Sequence, residues 1–233
     1  MSVPVIECKN LCKSYKKNFP VLDSFDFSLE GGKIMGLLGP NGCGKSTFLK
    51  LISGLLIADS GTIEICGINR SEETNKLISY LPERPYFNSK MTVEEMIRFF
   101  KTFYDDFDEL TAYKMLSDMS IDSKAQLKTL SKGTKEKVQL ILVMSRRAKL
   151  FLLDEPIGGV DPAARDYILR TIIGNYSEDA SVIITTHLIA DIEPIIDNFA
   201  FMKNGKIFMS GVADEVRENT GKSLDVLFRE VFK

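Results

Sequence analysis

The sequence is short of the residues that build covalent staples, metal cages and membrane spans. Its four cysteines, Cys8, Cys12, Cys43 and Cys66, show no C-x-x-C spacing, and one histidine is all that could join them. A disulfide scaffold and a Cys/His zinc fold are therefore excluded, and the thiols are expected to be reduced. Charge of either sign is not in excess: 30 Lys and Arg face 32 Asp and Glu, leaving −2. No global basic field is available to collect nucleic acid or anionic lipid, and no nucleic-acid partner is expected. Apolar stretches such as Ile34–Leu38 and Leu150–Leu153 fall far short of the roughly 20 residues that span a bilayer. Met1–Asn10 lacks the cationic start and apolar run of a signal peptide, so the chain reads as made and kept in the cytoplasm. There is no internal repeat and no low-complexity segment.

What is present is enough apolar matter for a core. With 44% hydrophobic and 27% charged residues over 233 positions, the chain has the composition of one large globular domain, or of a core carrying a small inserted subdomain. The first seventy or so residues mix short extended runs, Val5–Cys8, Val21–Leu22, Phe25–Leu29, Lys33–Leu38 and Thr62–Cys66, with turns at Gly31-Gly32 and Ser60-Gly61. A helix is expected over Thr47–Leu56. After Pro82 the pattern becomes helical. Thr92-Val93-Glu94-Glu95 is a capping box, and Val93, Met96, Ile97, Phe100, Phe103 and Tyr104 form one apolar stripe that must be buried. Strand runs return at Lys149–Leu153 and Ser181–Thr186, and between them Asp161-Pro162 reads as a helix cap with proline at the first helical position. Strands alternating with helices imply a parallel sheet covered on both faces. Asn204-Gly205, between Phe199–Met202 and Ile207–Met209, is a hairpin turn.

Two motifs carry chemistry. Gly39-Pro40-Asn41-Gly42-Cys43-Gly44-Lys45-Ser46 fits G-x-x-x-x-G-K-[ST] between an apolar strand and an amphipathic helix. In that context the glycines let the backbone curl amides inward, and the helix opening near Lys45 and Thr47 adds its positive dipole end, so a triphosphate is held by many partial charges. Lys45 supplies a full charge at the β and γ phosphates, and the Ser46 hydroxyl can ligate Mg²⁺. The second motif is Leu150–Leu153 followed by Asp154-Glu155. An apolar strand ending in two acids sets both at the carboxyl edge of a parallel sheet, where ligands of such sheets bind. Neighbouring residues on a strand point to opposite sides, so Asp154 can hold a Mg²⁺-bound water while Glu155 faces the water that attacks the γ-phosphate as general base.

With further segments in the same order, nearly the whole chain resembles the ATP-binding cassette (ABC) ATPase family. The resemblance implies an α/β fold: a P-loop (RecA-like) core with a mainly parallel sheet, an N-terminal antiparallel β subdomain and an inserted α-helical subdomain. One domain over 1–233 is implied, with 1–82 and 134–233 as β subdomain plus core and 83–133 as the helical subdomain. Tyr15 matches the aromatic that stacks on adenine, Leu130-Ser131-Lys132-Gly133-Thr134 resembles the signature, Asp161 the D-loop aspartate, and His187 the switch histidine that contacts the γ-phosphate. By the same resemblance Lys45, Glu155 and His187 are catalytic, and Ser46, Glu83 and Asp154 serve the Mg²⁺ that accompanies ATP. The sequence departs from the family at Lys132, where glycine is usual, at Thr134, where glutamine is usual, and at Glu83, where the Q-loop has glutamine. Lys132 either adds charge near the phosphate or points into solvent. LSKG with Glu83 looks more like export-type than import-type systems.

The function implied is the ATP-hydrolysing motor of a transporter. Two cassettes, identical or not, close on two MgATP, each nucleotide lying between one P-loop and the other chain's signature. Integral membrane subunits dock on the helical subdomain and hold the motor at the cytoplasmic face. The alternative is a soluble ABC ATPase acting on ribosome or DNA, which usually carries two cassettes or an inserted coiled coil, and neither is seen. A P-loop GTPase would need an N-K-x-D motif, which is absent.

Overall fold

The computed structural model describes residues 3–16, 19–88, 90–158, 160, 162–177 and 179–233, without the side chains of 163 and 164. In chain order its first half runs β1 (Ile6–Lys16), β2 (Phe19–Leu29), β3 (Ile34–Leu38), α1 (Lys45–Ile52), β4 (Ser60–Ile65), β5 (Ile68–Asn69), β6 (Ile78–Leu81), α2 (Val93–Phe103) and α3 (Glu109–Asp118). There follow α4 (Lys132–Met144), β7 (Leu150–Asp154), α5 (Pro162–Asn175), β8 (Ser181–Thr186), α6 (Ile189–Ile192), β9 (Asn198–Lys203), β10 (Lys206–Val212), α7 (Ala213–Thr220) and α8 (Leu224–Val231).

Two sheets result. An antiparallel one has the order β2-β1-β4-β5, and a six-stranded one has the order β10-β9-β3-β8-β7-β6. Strands β9, β3, β8, β7 and β6 are parallel, and β10 closes one edge antiparallel to β9. The interior strands are mostly apolar because both faces are covered, and side chains divide between the faces by alternation. On one face Ile34, Leu38, Phe151, Leu153, Val182, Ile184, Phe199 and Phe201 pack with α2, α3, α4 and α5. On the other, Met35, Leu37, Leu150, Leu152, Ile183, Ala200 and Met202 pack with α1 and the antiparallel sheet. Helix α1 is thus caught between two sheets. Its Phe48 is fully buried, with its ring 4.7 Å from Phe25 and 5.1 Å from Phe27.

Local chemistry sets the helix limits. Helix α1 ends sooner than its apolar spacing predicts, because Gly54 enters the left-handed region at φ 76° and turns the chain away. Helix α2 begins as predicted: Thr92 Oγ1 accepts from the Glu95 amide at 3.2 Å, and Glu95 Oε2 accepts from the Thr92 amide at 2.7 Å. Val93, Met96, Ile97 and Phe100 are buried, but Phe103 is 66% exposed, against expectation. At 3.6 residues per turn Phe103 lies about 70° from the centre of the stripe. It therefore leans on Phe99, 4.6 Å away, instead of on the core. The β9–β10 turn matches its prediction, with Asn204 at φ 49° and Gly205 at φ 73°. Helix α5 starts at Pro162, while Asp161, the cap proposed for it, lies outside the described residues.

Candidate active site

The segment from β3 to α1 is shaped by close backbone packing. Gly42 and Gly44 take φ of 80° and 114°, values that cost an L side chain dearly. A Cβ on Gly39 would stand 2.5 Å from the Met202 carbonyl oxygen, so the loop lies directly on β9. The Gly205 amide donates to the Cys43 carbonyl at 3.2 Å and ties the loop to the β9–β10 turn as well. Lys45 is buried, and its ammonium donates to the carbonyls of Gly39 (2.7 Å) and Pro40 (3.2 Å), 4.0 Å from Cys43 Sγ. Burial pushes the Cys43 thiol up, against the pull of the Lys45 charge. The first amides of α1 have no acceptor within the helix. Curled backbone, free amides and one fixed cation are a combination that suits phosphate oxygens.

Alternation along β7 decides what Asp154 meets. Leu150 and Leu152 face α1, so Asp154, two residues further, faces it too. Its Oδ1 accepts from Ser46 Oγ at 3.0 Å and from Thr185 Oγ1 at 2.7 Å, and the residue is 2% exposed. Glu155 leaves the strand at φ 53°, a region that costs an L residue roughly 1–2 kcal/mol. That backbone is over-determined: the Glu155 amide donates to Thr185 O (3.0 Å) and Thr185 Oγ1 (3.2 Å), and the Gly158 amide donates to Glu155 O (3.0 Å). The turn aims the Glu155 carboxylate at His187, whose Nδ1 lies 3.0 Å from Glu155 Oε2. Tyr80, on neighbouring β6, has its hydroxyl sealed from water with no hydrogen-bond partner among the described residues. Burial first, then the Asp154 charge, push its ionisation upward.

A cavity of about 880 Å³ opens over these groups. Tyr15, Asn41, Gly42, Gly44, Lys45, Ser46, Thr47, Glu83, Lys132, Glu155 and His187 line it, as sequence positions scattered over most of the chain. Gly39, Pro40, Cys43 and Asp154 lie behind that surface as supports. Tyr15 is 59% exposed, with its hydroxyl 3.3 Å from Thr47 Oγ1 at the rim. Ser131 and Gly133 are not on the wall. Ser131 caps α4 by accepting from the Thr134 amide at 3.1 Å, and Gly133 has open space about its α-carbon. Lys132 lines the wall, and its side chain is 78% exposed and stands 3.8 Å from Glu136. Asp161 lies outside the described residues.

Arg84, Pro85 and Glu136 also line the cavity and had no sequence signal. One oxygen of Glu136 is buried without a hydrogen-bond partner among the described residues, and burial raises its carboxyl despite Lys132 nearby. Helix α4 brings it there, since Gln139, one turn on, donates to the Pro82 carbonyl at 3.3 Å and holds α4 against the segment after β6. A helical period starting from Lys132 would have placed Glu136 on the same face.

The sequence model of the ABC transporter family matches residues 22–158. The chain belongs to the ABC transporter family. As a member it is an ATP-binding ATPase subunit. This ABC ATPase is 33% identical over 217 residues to the ABC transporter ATP-binding protein YtrB of Bacillus subtilis, covering 92% of this chain and 74% of that one. It is 31% identical over 241 residues to the ABC-type transporter ATP-binding protein EcsA of the same organism, covering 98% and 97%. The solved structure of an ATP binding subunit of an ABC transporter superposes with a TM-score of 0.87 at 29% identity, over 98% of this chain and 100% of that one. The fold is thus the cassette fold, an α/β core with an antiparallel sheet and added helices, as the sequence implied.

Proposed function

We propose that the cavity is where this ABC ATPase binds MgATP and cleaves its γ-phosphate, and that it passes the resulting closure to separate membrane subunits. One observation carries the reading: Ser46 and Asp154 meet at 3.0 Å directly beside the Lys45 loop. The loop amides and Lys45 hold the phosphates, Tyr15 stacks on the base at the rim, and Asn41, Gly42, Gly44 and Thr47 complete the cradle.

The oxygens fit Mg²⁺. A hydroxyl and a carboxylate side by side offer a small set of hard donors, and Mg²⁺ takes one or two protein oxygens together with phosphates and water. Ser46 and Asp154 would hold it, with Glu83 reaching it directly or through water. When bound, the ion neutralises charge on the β and γ phosphate oxygens. Glu155 orients the attacking water and takes its proton, so that water and ATP become ADP, phosphate and a proton carried off by the carboxylate. His187 holds that carboxylate from 3.0 Å and faces the γ-phosphate.

Hydrolysis in this proposal takes two cassettes, with Ser131, Lys132 and Gly133 of one facing the nucleotide of the other and Asp161 near their junction. Ser131 and Gly133 stand clear of this chain's own cavity, which supports a role toward a second chain. Residues 83–133 form the helical subdomain that receives the membrane subunits, supported by exposed Phe99, Phe103 and Leu110 on its surface. The protein then sits on the cytoplasmic face of the membrane through that contact. The test is ATPase turnover of Lys45→Ala: hydrolysis at the wild-type rate would overturn the assignment of the site.

A further inference from the structure

We infer that Arg165 is a positioning residue for hydrolysis, clamping the loop that follows Glu155 to the loop that carries His187. The inference rests on the catalytic reading of Glu155 and His187 above, but on a different set of contacts. Arg165 sits in the first turn of α5, where one face looks toward the end of the β7–α5 loop and another toward α6. Its Nε donates to the Val160 carbonyl at 3.2 Å, and its Nη1 donates to Asp191 Oδ2 at 2.8 Å.

Both ends of this clamp are anchored. Val160 is 5% exposed and Ile157, in the same loop, is fully buried. Asp191 lies on α6 between buried Ile189 and Ile192, and its amide donates to the Leu188 carbonyl at 3.2 Å. The Leu188 amide in turn donates to Thr186 Oγ1 at 3.0 Å, fixing the step just after His187. Following the contacts round gives a closed circuit. Glu155 reaches His187 across 3.0 Å, the chain runs from His187 to Asp191, Arg165 bridges to Val160, and the loop returns to Glu155. Breaking the circuit at Arg165 removes the Val160–Arg165–Asp191 link between the two loops.

As an ion pair the bridge is ordinary. The side chains are 26% and 36% exposed, and pairs of that kind contribute little to stability. Its geometry is what sets it apart, because two different nitrogens of one planar guanidinium serve two different loops. A lysine offers a single point donor and cannot reproduce the fork. The expected effect is therefore on turnover, since misplacement of a catalytic group by about 1 Å can cost up to about 100-fold in rate.

The 233-residue chain tests this with four single variants, Arg165→Ala, Arg165→Lys, Asp191→Asn and Glu155→Gln, each followed by ATPase kinetics, MgATP binding and thermal melting. Arg165→Ala and Asp191→Asn should each lower kcat by roughly tenfold while KM and the MgATP Kd stay within about twofold, the pattern of an interaction felt in the transition state alone. Arg165→Lys should recover only part of the loss. Combining Arg165→Ala with Asp191→Asn should add little to the worse single change, because the first removes and the second weakens the same bridge. Wild-type kcat in Arg165→Ala or in Asp191→Asn, or a loss accounted for entirely by weaker MgATP binding or lower Tm, overturns the inference. If Arg165→Ala does not fold, Asp191→Asn carries the same expectation. Glu155→Gln separates the two readings: if it hydrolyses ATP normally the site assignment fails, whereas a dead Glu155→Gln beside a fully active Arg165→Ala sinks the clamp alone.

Discussion

Ser46 Oγ donates to Asp154 Oδ1 across 3.0 Å although the two residues are 108 positions apart in the chain. The contact exists because the loop after β3 leads straight into α1 and β7 presents its even-numbered side chains to α1. With Thr185 on the same oxygen, the Asp154 carboxylate is held by two hydroxyls. Asp154→Asn keeps the shape and removes the charge. It should weaken ATP binding in Mg²⁺ by about 10- to 100-fold and leave ATP binding in EDTA nearly as it is. Titration of a fluorescent ATP analogue under both conditions checks this, and equal losses in the two would contradict the metal role.

Phe48 fixes the phosphate loop to the antiparallel sheet from behind. Phe48→Ala should destabilise the chain by about 3–5 kcal/mol, lowering Tm by roughly 10 °C in a protein of this size. A melt displaced by less than about 2 °C would mean that the Phe25–Phe27–Phe48 cluster collapses on itself to fill the gap.

The thiols should separate by reactivity. Cys12 is held below the ordinary thiol range by hydrogen bonds from the Ser60 hydroxyl and the Ser24 amide, whereas burial raises Cys8 to about 12 and also raises Cys43. Since the thiolate is what reacts, iodoacetamide should label Cys12 first, with Cys8 slowest and Cys43 protected by its seat under the loop. Peptide mapping over time reads the order. Cys43 labelled ahead of Cys12 would show that the loop opens far more often than its packing allows.

Glu136 gives a pH-dependent stability. Its folded-state pKa is raised, chiefly by burial, so the folded chain prefers the neutral acid. Below the unfolded pKa there is no penalty; it grows as pH rises through the folded value and persists above it. Glu136→Gln has no charge to bury. Its Tm should match the wild type near about pH 4 and exceed it near about pH 8. A variant less stable than wild type at the higher pH would show that the Lys132 contact outweighs the desolvation.

How much of this could be read from the sequence follows from how local each cause is. The Lys45 loop was legible because its glycines, its strand and its helix adjoin, and the side of β7 on which Asp154 falls follows from a period of two. The capping box at Thr92 and the Asn204-Gly205 turn are equally local. Phe103 was misjudged because a stripe has edges that a count of apolar residues ignores. Arg84 carries no local signal because only the return of α4 past the segment after β6 brings it to the cavity, whereas Glu136 is reachable only by carrying the helical period one turn on from Lys132. Arg165 was missed for the same reason. Its two acceptors are a backbone carbonyl, which carries no sequence signal, and an aspartate 26 residues on.

The β9–β10 turn has a further implication. Gly205 donates to the Cys43 carbonyl, and a Cβ there would strike the Val21 carbonyl oxygen at 2.4 Å. A hairpin tip of this kind usually tolerates added residues. Here it is a wedge between β2 and the phosphate cradle, so inserting even one residue would register as lost nucleotide affinity before it registered as lost fold. Random insertion across the chain would consequently find a forbidden spot at a place that looks, from its own strands, free to vary.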